Sequence, residues 1–134
     1  MKNKLEIDKV ATIDIGSNAI RLLISNVFSV NGKLHHTKNS LYRVQLRLGD
    51  DSFNKGIISP KNLDKLKSTL KSFKFLMDVN DVKKYLAYAT SAMRSISNAE
   101  KLLKSLEIET GVKVEIITGK KESEIVAKND ISTH

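Results

Sequence analysis

Two apolar, β-branched runs, residues 10–15 and 20–27, are joined by a short connection built on Gly16-Ser17-Asn18. Runs of this kind on either side of so short a polar link read as a β-hairpin with a tight turn. The Asn31-Gly32 pair is a second turn signal, and a third strand is expected within residues 34–48. Three successive strands at the start of a chain require something to cover the sheet they make.

The next segment supplies it. Ser59 is a suitable N-cap and Pro60 suits a first helical position. Leu63, Leu66, Leu70, Phe73 and Met77 then recur at helical spacing and define one apolar face. Residues 85–89 form a short apolar strand candidate. Ser97-Asn98-Ala99-Glu100 fits a capping box, followed by the stripe Leu102, Leu103 and Leu106. Gly111 is a stop signal, residues 112–117 read as a strand, and a last helical stretch runs from Gly119 towards Asn129. The order β-β-β-α-β-α-β-α predicts an α/β domain with a mixed five-stranded sheet and helices packed on it. Asp14 is expected at the end of the first strand and Thr90 at the end of the fourth. Residues 50–56, polar and rich in turn formers, are the expected flexible segment.

At 134 residues the chain is long enough for one domain with one core. It contains no cysteine, which excludes disulfides and zinc–thiolate sites. No apolar run approaches the roughly 20 residues that span a bilayer, and residues 1–9 lack the apolar stretch of a secretory signal. A cytoplasmic protein with no membrane partner is the expectation. The formal net charge of +8 favours a polyanionic partner. Charge alone does not choose among nucleic acid, an anionic surface and a phosphate-rich small molecule. Lys61, Lys65, Lys67, Lys71 and Lys74 fall on one predicted helix, where a solvated face is the plainer reading. His35 and His36 stand in a polar stretch and read as surface residues, without the carboxylates of a metal site.

Three motifs bear on chemistry. In Asp14-Ile15-Gly16-Ser17-Asn18-Ala19-Ile20-Arg21, a carboxylate at a strand end precedes a turn of small residues. Gly16 permits close backbone approach, and consecutive N–H groups in such a turn can form an anion-binding nest. Ser17 and Asn18 add side-chain hydrogen bonds, and Arg21 adds a forked cationic donor suited to phosphate. Asp14 offers an oxygen ligand for magnesium. A hairpin turn with a structural aspartate remains an equally open reading of the composition. In Ala89-Thr90-Ser91-Ala92-Met93-Arg94, the hydroxyls of Thr90 and Ser91 and the charge of Arg94 suit a phosphate contact at a strand's carboxyl end. Ordinary strand-to-helix punctuation is the alternative. In Ile117-Thr118-Gly119-Lys120-Lys121-Glu122, the Glu122 carboxylate sits about one turn into a predicted helix. There it can act as a general base or merely favour the helix dipole.

The three motifs in this order resemble the exopolyphosphatase / guanosine pentaphosphate phosphohydrolase (Ppx/GppA) family. The runs "DIGSNAIRLLI", "YATSAMR" and "TGVKVEIITGKKESEI" carry the resemblance, which extends from about Val10 to about Asp130. The first motif is shared with sugar kinases and actin-like ATPases; the combination of all three is more specific. The resemblance implies the ribonuclease H-like fold of the actin-like ATPase superfamily. Residues 1–134 would be the amino-terminal, phosphate-binding lobe of a two-lobed enzyme, with a second phosphate loop and second lobe lying beyond His134. It implies that residues 14–18 form the first phosphate loop, that Arg21 lies close to the anionic substrate, and that Glu122 activates water for attack on a terminal phosphoryl group, usually with magnesium. The implied substrates are polyphosphate or guanosine pentaphosphate, with no specific nucleic acid partner. The resemblance also admits a homodimer of the complete enzyme. Two positions depart from the family pattern: Ser123 follows the glutamate where alanine is common, and Lys120 and Lys121 stand where acidic or polar residues are frequent. Neither removes the carboxylate. One lobe cannot enclose a reacting phosphate, so little catalysis is expected of this chain by itself. The alternatives are an ATP- or sugar-binding relative of the same fold and a non-enzymatic basic domain that binds polyanions.

Overall fold

A computed structural model of the chain describes residues 7–117. The elements in order are β1 (Ile7–Ile15), β2 (Ala19–Val30), β3 (Lys33–Gln45), α1 (Leu48–Lys55), α2 (Pro60–Val79), β4 (Lys84–Ala89), α3 (Ser91–Arg94), α4 (Ala99–Thr110) and β5 (Val114–Ile116). The five strands form one sheet in the order β3-β2-β1-β4-β5. β1–β2 and β2–β3 are antiparallel; β1–β4 and β4–β5 are parallel. The topology follows from the connections. Short turns join the first three strands, whereas a parallel neighbour needs a long crossover, and α2 and α4 occupy the two crossovers.

Side chains alternate across each strand with period two. Ala11, Ile13 and Ile15 of β1, Ile20, Leu22 and Ile24 of β2, and Ala87 and Ala89 of β4 share the core face. Leu66, Leu70, Phe73 and Met77 of α2 and Leu103 and Leu106 of α4 pack into the same cluster. The alternate residues Thr12, Asp14, Leu23 and Ser25 face the other way and are only half-buried. The sheet therefore carries α2 and α4 on one face, and the row containing Asp14 lies on the opposite face.

Local signals account for most boundaries. The Ser59 hydroxyl accepts a hydrogen bond from the Asn62 N–H at 3.3 Å, and Pro60 opens α2. Asn31 and Gly32 both take positive φ, the requirement of a two-residue hairpin turn. Gly111, with φ of 78°, ends α4 and returns its N–H to the Glu107 carbonyl. Lys67 of α2 pairs with Glu109 of α4 at 2.7 Å, and Lys74 pairs with Asp78 within α2 at 2.8 Å. His35 is half-buried and stacks on Phe28, with ring centroids 5.5 Å apart. Among the described residues, no helix is long and apolar enough to cross a membrane.

Three expectations need correction. Residues 50–56 do not form a loose loop, because α1 runs through Lys55. Asp50 and Asp51 stand in its first turn, where the helix dipole favours them. The nearly buried Asp51 carboxylate accepts from the Ser59 N–H at 2.9 Å and from Asn62 Nδ2 at 2.7 Å. The capping box at residues 97–100 does not form: Asn98 takes a left-handed conformation and makes no side-chain cap. A tertiary bond from the Ser97 N–H to the Gly56 carbonyl, at 2.8 Å, sets the approach to α4 instead. The last strand is also shorter than expected, Val114–Ile116, because the Val112 N–H is drawn back to Thr110 Oγ1 at 3.2 Å.

Candidate phosphate site

The first hairpin turn is closed from within and held from outside. The Gly16 N–H donates to the Ala19 carbonyl at 3.0 Å. A Cβ at position 16 would lie 3.3 Å from that same oxygen, so the close approach favours glycine. On the outside, the Ser17 carbonyl accepts from the Gly49 N–H and the Asn18 carbonyl from the Leu46 N–H, both at 2.9 Å. Leu46 and Leu48 are buried in the core, so the segment that grips the turn is itself anchored. In this conformation the Gly16 N–H serves the turn, and an anion bound there would meet other donors.

Asp14 lies directly opposite Arg21 in the β1–β2 ladder. Arg21 Nη2 donates to Asp14 Oδ2 at 2.9 Å, with the arginine side chain 54% exposed and the aspartate 21%. Arg21 is in turn directly opposite Arg43 of β3. Arg43, Arg21, Asp14, Tyr88 and Glu115 thus form one row across all five strands.

The second motif meets the first at the same end of the sheet. Ile15 and Ala89 are neighbours in the parallel β1–β4 ladder, and the N–H of the buried Thr90 donates to the Ile15 carbonyl at 3.3 Å. Ser91 opens α3, whose first turn returns the N–H groups of Met93 and Arg94 to the Thr90 carbonyl. The Ile117 N–H donates to the Ala89 carbonyl at 3.1 Å, so β5 ends beside β4. Arg94 Nη1 donates to the Ile117 carbonyl. The carboxyl ends of β1, β4 and β5 therefore lie side by side, with the turn at 16–18, the Thr90–Arg94 segment and Ile117 gathered there. Ligands of open α/β sheets bind outside the carboxyl ends of the strands. Glu122 lies outside the described residues.

Asp14 supplies one carboxylate; among the described residues no three histidine, aspartate or glutamate side chains gather as a metal site. Sequence reasoning missed two features. One is Arg43, whose place beside Arg21 depends on strand register. The other is the grip of Leu46 and Gly49 on the turn, which depends on the path of the chain after β3.

Comparison with known proteins agrees with this architecture. The profile of the Ppx/GppA phosphatase family matches residues 28–133. Exopolyphosphatase 1 of Mycobacterium tuberculosis is 31% identical over 117 residues, which is 87% of this chain and 33% of that protein. The crystal structure of the Aquifex aeolicus member of the Ppx/GppA family superposes with a TM-score of 0.78 at 33% identity, over 87% of this chain and 37% of that one. An exopolyphosphatase from Cytophaga hutchinsonii gives a TM-score of 0.75 at 32% identity, over 87% and 36%. The chain spans about a third of the length of these relatives. Its mixed five-stranded sheet with helices is the ribonuclease H-like fold of the actin-like ATPase superfamily, and the chain belongs to the Ppx/GppA phosphatase family.

Proposed function

We propose that this chain holds the phosphate end of a polyanion for phosphoanhydride hydrolysis, releasing terminal phosphate from inorganic polyphosphate or guanosine pentaphosphate. The observation that carries the reading is the convergence of the 16–18 turn, Thr90, Ser91 and Arg94 at the carboxyl ends of β1 and β4. Phosphoryl transfer depends chiefly on positioning, charge neutralisation and an oriented nucleophile. Ser17, Asn18 and the turn backbone position the phosphate, with the hydroxyls of Thr90 and Ser91 as further donors. Arg21 and Arg94 neutralise it. Glu122 orients water and takes its proton as the general base. The excess of basic residues raises the local concentration of a polyanion.

Magnesium fits the chemistry of Asp14, because this cation commonly binds through one or two carboxylates together with substrate phosphates. When bound, the ion would offset charge on the phosphate oxygens. The Arg21 guanidinium, already on the same carboxylate, is its competitor for Asp14.

Titration of the chain with pyrophosphate, followed by amide NMR, tests the phosphate site. The largest shifts are expected at Gly16, Ser17 and Asn18. Arg21→Ala should weaken binding by about tenfold, the loss expected for a charge-assisted hydrogen bond. Shifts confined to the lysine face of α2 would refute the site.

A further inference from the structure

We infer that Arg43 is a second anion-binding residue, which contacts the phosphoryl group next along the substrate from the one held at the 16–18 turn. The inference rests on the reading of that turn as a phosphate site. Arg43 and Arg21 are directly opposite in the β2–β3 ladder, so they share a face and a level of the sheet. Residues so placed stand about 5 Å apart at Cβ, and like charges there repel. Arg21 is half satisfied by Asp14. Arg43 is exposed and makes no ion pair or side-chain hydrogen bond among the described residues. The trio of Arg43, Arg21 and Asp14 thus keeps one uncompensated positive charge, two residues from the end of β3 and level with the last turn of the first hairpin.

A β-bulge produces this pairing. The register between β2 and β3 shifts between Ile24 and Ser25, with Asn39 as the extra residue on β3. Asn39 Nδ2 donates to Asn26 Oδ1 at 3.3 Å, and Ser40 Oγ donates to Asn39 Oδ1 at 2.8 Å. Bulges turn a side chain to a new direction and are frequent next to functional sites. Here the bulge sends Tyr42 and Val44 to the core face and Arg43 to the face of Arg21. Two forked cations side by side suit a ligand with successive anionic groups better than a single phosphate.

The test compares the chain with its Arg43→Ala and Arg43→Lys variants. Calorimetric titrations use tripolyphosphate and inorganic phosphate, and thermal unfolding is followed without ligand. Arg43→Ala should weaken tripolyphosphate binding about tenfold or more and leave inorganic phosphate nearly unchanged. Arg43→Lys should fall between, since it keeps the charge and loses the fork. The unliganded alanine variant should unfold at the same temperature or higher, because a repulsion is removed. Equal losses for both ligands, or none for tripolyphosphate, would overturn the inference while leaving the phosphate site standing. Failure of the unsubstituted chain to bind either ligand would overturn both.

Discussion

Arg21 Nη2 lies 2.9 Å from Asp14 Oδ2, so the cation of the first hairpin and its carboxylate neutralise each other before any ligand arrives. A phosphate bound as proposed would then compete with Asp14 for Arg21, and a metal ion would compete with Arg21 for Asp14. Each ligand would help the other by freeing its partner. At the proposed site, magnesium on Asp14 would release the guanidinium for phosphate, and phosphate on Arg21 would release the carboxylate for magnesium. Such mutual assistance is a coupling between two sites and is reciprocal.

Asp14→Asn separates the two roles. Without magnesium, the variant should bind pyrophosphate a few-fold more tightly than the parent chain, because Arg21 is no longer held by an anion. Added magnesium should strengthen binding in the parent and have little effect in the variant. Stability should change by at most about 1 kcal/mol, as for other partly exposed ion pairs. Pyrophosphate titrations with and without magnesium are the measurement. Equal strengthening by magnesium in both proteins would remove Asp14 from the metal site.

Asp51 links the turn to the helices at a distance. Its carboxylate holds the Ser59 N–H and Asn62 Nδ2 at the start of α2, and the first turn of the same short helix contains Gly49, whose N–H grips the Ser17 carbonyl. Asp51→Ala leaves two partly buried donors without this acceptor, a loss of about 1–3 kcal/mol. Urea denaturation should show that loss. Amide exchange should show faster opening at Gly49, whose N–H bonds the Ser17 carbonyl. If Gly49 exchanges at the parent rate while stability falls, Asp51 supports α2 alone.

The order of elements was legible because it depends on local signals. The Asn31-Gly32 turn, Ser59-Pro60 and the apolar stripe of α2 each express a short-range rule. The residues of the first two motifs could also be picked out, since each lies at a strand end marked by small residues. Arg43 could not. Counting back in strict register from the Asn31-Gly32 turn sets Tyr42 opposite Arg21 and turns Arg43 towards the core. The extra residue at Asn39 reverses both placements. A shift of one residue moves every later side chain to the other face, and nothing local in residues 33–45 announces it. The left-handed Asn98 escaped for a similar reason: the bond from Ser97 to Gly56 joins segments about 40 residues apart and overrides a sound capping pattern.

Arg94 and Glu122 give the last prediction. Arg94 donates to the carbonyl of Ile117, the residue just before Thr118-Gly119-Lys120-Lys121-Glu122. An active enzyme containing this chain should respond differently to changes at Glu122 and at the arginines. Glu122→Gln should lower turnover on polyphosphate by about 10² to 10⁴-fold, the usual range for loss of a general base. Its KM should change far less, because a general base at Glu122, as proposed, would act on the attacking water and on charge that develops in the transition state. Arg21→Ala should raise KM as well as lower turnover, because the phosphate contact proposed for Arg21 would act in the ground state too. Arg94→Ala should combine both patterns, since it removes the phosphate contact proposed for Arg94 and also its bond to the Ile117 carbonyl. If Glu122 only favours a helix start, Glu122→Gln would cost up to about 1 kcal/mol of stability and leave turnover intact. Phosphate release and thermal unfolding measured on the same preparations separate these outcomes. A fully active Glu122→Gln enzyme would place the base elsewhere.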